Sequence, residues 1–208
     1  MVLFGLPVRL EKTLNKKQKL SKRQQLRAAR RRRQLIQRAV LIGLAVLVIG
    51  GITYLVVSNR RPGTVAGERT VATEGQAHIS PDQEPTYINN PPSSGPHVGS
   101  ATAPSGFSSE EIPPKLWVHN LEHGYIVLVY HCPEDCPDLK EKLESLAGNL
   151  PPSKYDSIKV VVTSYASPLP GEVTALAWTK QLDLPAFDEE LLTQFYERWV
   201  DRGPEDVP

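Results

Sequence analysis

The pattern of apolar and polar positions changes character several times along this chain. Ala39 to Val57, AVLIGLAVLVIGGITYLVV, is a run of 19 residues without a charge. A helix of that length covers roughly 28 Å at about 1.5 Å per residue, close to a bilayer's hydrocarbon core, so the run predicts one transmembrane helix. Tyr54 suits the interface near its far end, and Arg38 stops it on the near side. Residues 58 to 75 are Gly- and Thr-rich with little periodicity and predict a tether. From Pro81 to Pro114 the chain holds eight prolines, which predicts a long loop without lasting regular structure. Such a loop, when ordered, is usually functional.

Periodic structure then begins. Tyr125 to Tyr130 is a continuous apolar, β-branched run that predicts a central strand, entered through Gly124. In PDLKEKLESLAG, Leu139, Leu143 and Leu146 share one helical face, with Pro137 in the first turn and Gly148 at the end. Ile158 to Thr163 predicts a second strand, and Val173 to Leu182 a third strand or a helix. Asp188 caps a last helix whose stripe is Leu191, Leu192, Phe195 and Trp199, with Gly203 closing it. The expected architecture is α+β: an N-terminal transmembrane helix followed by a small mixed sheet with packed helices, spanning residues 76 to 206.

Charge sharpens the division. The net charge of the 208 residues is only +1. Residues 1 to 38 carry thirteen Lys or Arg against one Glu, +12, and the remainder eleven against twenty-two Asp or Glu, −11. A basic arm beside a membrane helix fixes topology and binds anionic lipid headgroups, so residues 1 to 38 are expected in the cytoplasm and the C-terminal domain outside it. The span is too long, and lacks the small-residue site, for a cleaved signal peptide. Nucleic acid is not an expected partner, because no base-reading module accompanies the basic run.

All five histidines, His78, His97, His119, His123 and His131, lie between residues 78 and 131. His119 and His123 stand four apart in VHNLEHGYIVLVY, and even a single turn brings residues at that spacing to one side. Imidazole suits Cu, Zn, Fe and Ni, so a transition-metal site is expected on His97, His119 and His123, with His78 as a fourth ligand. Glu122 would orient a ligand from behind. Copper is preferred over zinc. Alternatively the histidines only hydrogen-bond and brace the proline-rich loop. The string H-x-x-E-H also matches the inverzincin peptidase motif, but that chemistry needs an extended helix. Pro113, Pro114 and Gly124 confine HNLEH to at most one turn.

Three segments carry a resemblance: YINNPPSSGPHVG, WVHNLEHGYIVLVY and ALAWTKQLDLPAFDEELLTQFYERWVDRGPE. They resemble the domain-of-unknown-function family numbered 3105, membrane-anchored proteins built around NPPTSGPH-like and VHNLEHGG-like segments. The likeness covers about residues 76 to 206, its histidines match His78, His97, His119 and His123, and it implies no established activity. Tyr125 replaces the family's usual second Gly, and His131 and the cysteines lie outside its pattern. Separately, Cys132 and Cys136 in HCPEDCPDL stand between a strand and a helix start, where thiolates are stabilised. Over about ten residues this is similar to the C-P-x-x-C-P segment of the copper-delivering Sco family, which implies a fold thioredoxin-like in part. Those proteins also use a histidine downstream of the cysteines, and none follows Cys136. A local disulfide in an oxidising compartment is the alternative.

Taken together, these features predict a single-pass membrane protein whose outward domain binds a metal, in metal handling or in support of a membrane complex. A non-metal interaction subunit is the rival from another class. A thiol oxidoreductase using Cys132 and Cys136, or a metal hydrolase, ranks third, with the balance against an enzyme.

Overall fold

A computed structural model describes residues 8–58 and 63–208. The chain divides into two compact units, residues 1–60 and 61–208. In the first unit, α1 (Val8–Ser58) runs without a break through the basic arm and the apolar run. Within it Ala29–Thr53 is long and apolar enough to cross a membrane. Its described apolar side chains, Leu41 and Leu47 among them, are exposed.

The second unit is a mixed α+β domain. Its elements are β1 (Arg69–Thr70), β2 (His78–Ile79), β3 (His97–Val98), β4 (Gly106–Phe107), α2 (Pro114–Glu122), β5 (Ile126–Tyr130), α3 (Pro137–Asn149), β6 (Val160–Ser164), β7 (Val173–Ala177), β8 (Lys180–Leu184) and α4 (Glu189–Trp199). Six strands form one sheet in the order β1-β8-β7-β5-β6-β4, and β2 pairs with β3 alone. Strands β5 and β6 are parallel and joined through α3; β7 and β8 form an antiparallel hairpin, with β7 antiparallel to β5. A parallel βαβ unit followed by an antiparallel hairpin and a helix is the small mixed sheet with packed helices that the sequence predicts.

The unbroken apolar run of β5 follows from its central place. Ile126, Leu128 and Tyr130 face the cluster formed with Leu139, Leu143 and Leu146 of α3 and Leu192, Phe195 and Tyr196 of α4. Val127 and Val129 face the opposite cluster, with Trp117, Val118 and Leu121 of α2. A strand covered on both faces cannot afford the polar alternation of a half-solvated one. Helix α4 begins as its sequence implies, the Asp188 carboxylate accepting from the Leu191 N–H at 3.0 Å.

Several expectations are corrected. HNLEH is not confined to one turn. Pro114 opens α2 rather than blocking it, since the first helical residues need no intrahelical N–H bond, and the helix runs nine residues to Glu122. The stretch 173–182 forms one strand and most of a second, turning at Trp178 and Thr179. Thr179 is held at φ 59°, its N–H donating to Ser93 O while its own carbonyl accepts from Val71 N. The C-terminal part of the expected tether packs on the domain: β1 pairs with β8, Val65 is buried, and Glu68 ion-pairs with Arg198. Helix α3 passes Gly148 to Asn149, and α4 stops at Trp199, ahead of Gly203.

Candidate metal centre

Helix α2 presents two different edges. Trp117, Val118 and Leu121 bury into the sheet. His119, Asn120 and Glu122 are buried as well, yet they meet the proline-rich loop. Asn120 pins that loop. Its side-chain oxygen accepts from Ala103 N at 2.7 Å and its amide donates to Ala103 O at 3.0 Å. Two residues earlier, Ala101 O accepts from Nδ1 of His119 at 3.0 Å.

The loop brings the other two imidazoles. Glu74 accepts from the N–H groups of Ile88 and Asn89, and Gly95 N donates to Gly75 O, closing the loop on itself. This sets His78 beside His97 in the parallel β2–β3 bridge. Gly99 is glycine for a steric reason: a Cβ there would lie 2.6 Å from the His78 ring. The Trp178 indole stands edge-on to His97 at 6.5 Å between centroids.

At the centre lies Glu122, its side chain only 2 % exposed. One carboxylate oxygen, Oε2, is 2.9 Å from Nε2 of His97, itself fully buried, and 3.3 Å from Nε2 of the half-exposed His78. The His97 and His119 rings stack at 5.1 Å. His78, His97, His119 and Glu122 each offer one ligand-type atom, all within 4.8 Å of one another.

Tautomers follow from the backbone contacts. Nδ1 of His97 lies 2.9 Å from Gly95 O, a carbonyl that can only accept, so Nδ1 carries the proton. In a neutral ring Nε2 then bears a lone pair aimed at a carboxylate oxygen. The bond from His119 to Ala101 O fixes that ring the same way and leaves Nε2 for the group. Two acceptors at 2.9 Å in a buried site require a cation or an added proton between them. Ligands on one zinc-sized ion, with bonds of about 2.0–2.2 Å, stand about 3 to 3.5 Å apart, so the two imidazole contacts of Glu122, at 2.9 and 3.3 Å, fit a metal. An imidazole that anchors its other N–H on a backbone carbonyl is also the usual form of a metal ligand.

The structure thus divides the expected ligand set. Glu122 is in direct contact with the imidazoles rather than behind them. His123, the C-cap of α2, falls in a second group with Glu122 and Glu205, although its ring remains 4.4 Å from that of His119. Its Nε2 lies 3.3 Å from Glu205 Oε2. Burial lowers the His123 pKa from the ordinary imidazole value, and the neighbouring His119 lowers it further. Glu205 was not legible as a site residue; it stands in a C-terminal stretch with no periodicity. Although HNLEH lies on a helix after all, Glu122 is engaged by two imidazoles and does not present a free base.

The remaining candidates lie at the other end of β5. His131 donates from Nδ1 to Tyr165 O at 2.8 Å. The sulfurs of Cys132 and Cys136 lie within bonding distance, with Cα atoms 6.1 Å apart, ahead of α3. Among the described residues no histidine joins them in a ligand-type group, so the Sco-like arrangement of thiols and imidazole is not assembled.

The chain belongs to the family described as "Protein of unknown function (DUF3105)", which matches residues 78–207. His78, His97, His119 and Glu122 all fall within that match. No curated protein and no solved structure matches the chain.

Proposed function

We propose that this protein is anchored by α1 with its basic arm in the cytoplasm, and that its outer domain binds a divalent transition-metal ion through His78, His97, His119 and Glu122. The observation that carries the proposal is the approach of His97 Nε2 to a Glu122 carboxylate oxygen at 2.9 Å inside the protein, with Nδ1 of His97 already engaged by Gly95 O. A metal ion satisfies both Nε2 and the carboxylate oxygen. Three imidazoles and a carboxylate favour Cu²⁺ over Zn²⁺ by the ordinary affinity order, which supports copper as the first candidate and zinc as the second. His78, with its side chain 53 % exposed, is the ligand at the mouth, where an ion enters or is passed on. That half-open arrangement suits metal handling, or support of a neighbouring membrane complex, better than a closed structural site.

The competing arrangement keeps His97 as an imidazolium paired with Glu122 and makes the cluster a brace for the loop. The bonds to Gly95 and Ala101 serve either role, because they use only Nδ1. Metal content separates the two. The chain purified in detergent and dialysed against Cu²⁺ or Zn²⁺ should retain stoichiometric metal, and His97→Ala and His119→Ala should lose it. Wild type without metal, or equal occupancy in all three proteins, would refute the assignment.

A further inference from the structure

Glu122 belongs to two groups of ligand-type atoms. On one side are His78, His97 and His119; on the other are His123 and Glu205, again with all ligand-type atoms of the group within 4.8 Å of one another. We infer that Glu122 is a bridging carboxylate and that His123 and Glu205 complete a second divalent-cation position beside the first. The inference rests on the metal reading of the first group.

Geometry supports a second ion and not a simple surface contact. His123 Nε2 and Glu205 Oε2 are 3.3 Å apart, again the separation of two donors on one ion. The His119 and His123 rings are neighbours at 4.4 Å, so a histidine for each position comes from the end of the same helix. A carboxylate has two oxygens, and ions that share one sit about 3.5–4 Å apart.

Glu205 is also held in place by a built device. The C-terminal tail docks on the end of α2 through Asp201 N to Gly124 O at 2.9 Å and Glu205 N to Glu122 O at 3.0 Å. Between these bonds the tail approaches so closely that a Cβ on Gly203 would lie 2.1 Å from Glu122 O and 2.4 Å from Gly124 N. Gly124 is equally constrained, with φ 75° and 2.8 Å between its would-be Cβ and the Asp201 Cα. The fully buried Lys159 ties the same pieces together. Its ammonium donates to His123 O at 3.1 Å and to Val207 O, and pairs with Asp201 at 3.4 Å. Glu205 is therefore clamped on both sides, by Gly203 and by Val207, while its side chain, 46 % exposed, turns toward His123. A rigid backbone under a single carboxylate is the preparation a ligand needs and a solvated acidic tail does not.

The donor sets differ in kind. One imidazole and two carboxylates make a harder site than three imidazoles and one carboxylate, suited to Zn²⁺, Mn²⁺ or Fe²⁺. Three protein donors against four leave more coordination positions to water, so the second ion is the more readily exchanged.

Zinc stoichiometry tests this on the full chain in detergent, by equilibrium dialysis against Zn²⁺ and elemental analysis. Wild type should hold two ions per chain, and Glu205→Gln, which keeps the backbone bond to Glu122, should hold one. His123→Gln should also hold one, with tryptophan fluorescence confirming that both variants are folded. Two ions in Glu205→Gln would overturn the assignment of Glu205. One ion in wild type and in both variants would overturn the second position while leaving the first standing. No ion in any of the three would overturn both.

Discussion

Replacing Glu122 by Gln keeps the side chain's shape and removes its charge, and its effect with and without metal differs between the two accounts of the centre. Suppose first that His97 is an imidazolium paired with the carboxylate. The pair is buried, at 0 % and 2 % side-chain exposure, so removing one partner strands a charge and costs about 3–5 kcal/mol. At roughly 2–4 °C per kcal/mol for a domain of this size, the metal-free melting temperature would fall by about 6–20 °C. If the site instead awaits a metal, the metal-free wild type holds an uncompensated carboxylate against lone pairs. The Gln amide can donate to one of them, and the metal-free melting temperature should hold or rise. Added metal then discriminates again. At 100 times Kd the wild type gains about 2.7 kcal/mol, or about 5–11 °C. Loss of one ligand of four, taken as an affinity loss of about 100-fold, leaves about 0.4 kcal/mol and a shift of about 1–2 °C. Tryptophan fluorescence is the assay, since Trp117 is fully buried on α2 and Trp178 stands against His97. A wild-type melt indifferent to Cu²⁺ and Zn²⁺, together with a large metal-free loss in the variant, would refute the metal reading.

Metal binding should weaken as pH falls, because ligating imidazoles must be unprotonated; isothermal titration across about pH 5.5–8 checks this. The folded chain itself should lose stability over the same range. His123 has a lowered folded-state pKa, so below about 6.5 the unfolded chain binds the proton first, and the contribution, complete above that pH, is lost as pH drops through the folded value. His123→Gln should flatten that part of the pH–stability curve. Gly203→Ala should destabilise by about 1–3 kcal/mol and weaken metal binding, since its methyl group meets the backbone of Glu122 and Gly124. Gly148→Ala, in α3 with nothing within 4 Å, should be neutral or stabilising in the same thermal melt. For topology, a thiol at Gln24→Cys should be protected from an impermeant reagent in intact cells and one at Thr64→Cys should be labelled; the reverse would overturn the orientation.

What local pattern could specify, the sequence already contained. A charge-free run predicts a spanning helix, an unbroken apolar run predicts a doubly covered strand at β5, and Asp188 before a 3.6-residue stripe marks the start of α4. Histidine scarcity and spacing likewise pointed to His78, His97, His119 and His123. Partnership was beyond reach, because it depends on contacts between segments far apart in the chain. Nothing near His78 announces that it will pair with His97 across 19 residues. Thr179 carries no glycine-type turn signal, and its positive φ is held by bonds to Ser93 and Val71. Pro113 and Pro114 looked like a barrier and became the N-cap and the first residue of α2, because the helix is stabilised by burying Trp117, Val118 and Leu121 in the sheet. Glu205 comes beside Glu122 and His123 only because the tail folds back onto Gly124 through a gap that admits no side chain at Gly203. Sequence chose the donors, and the close approach of loop, helix end and tail decided which of them face one another.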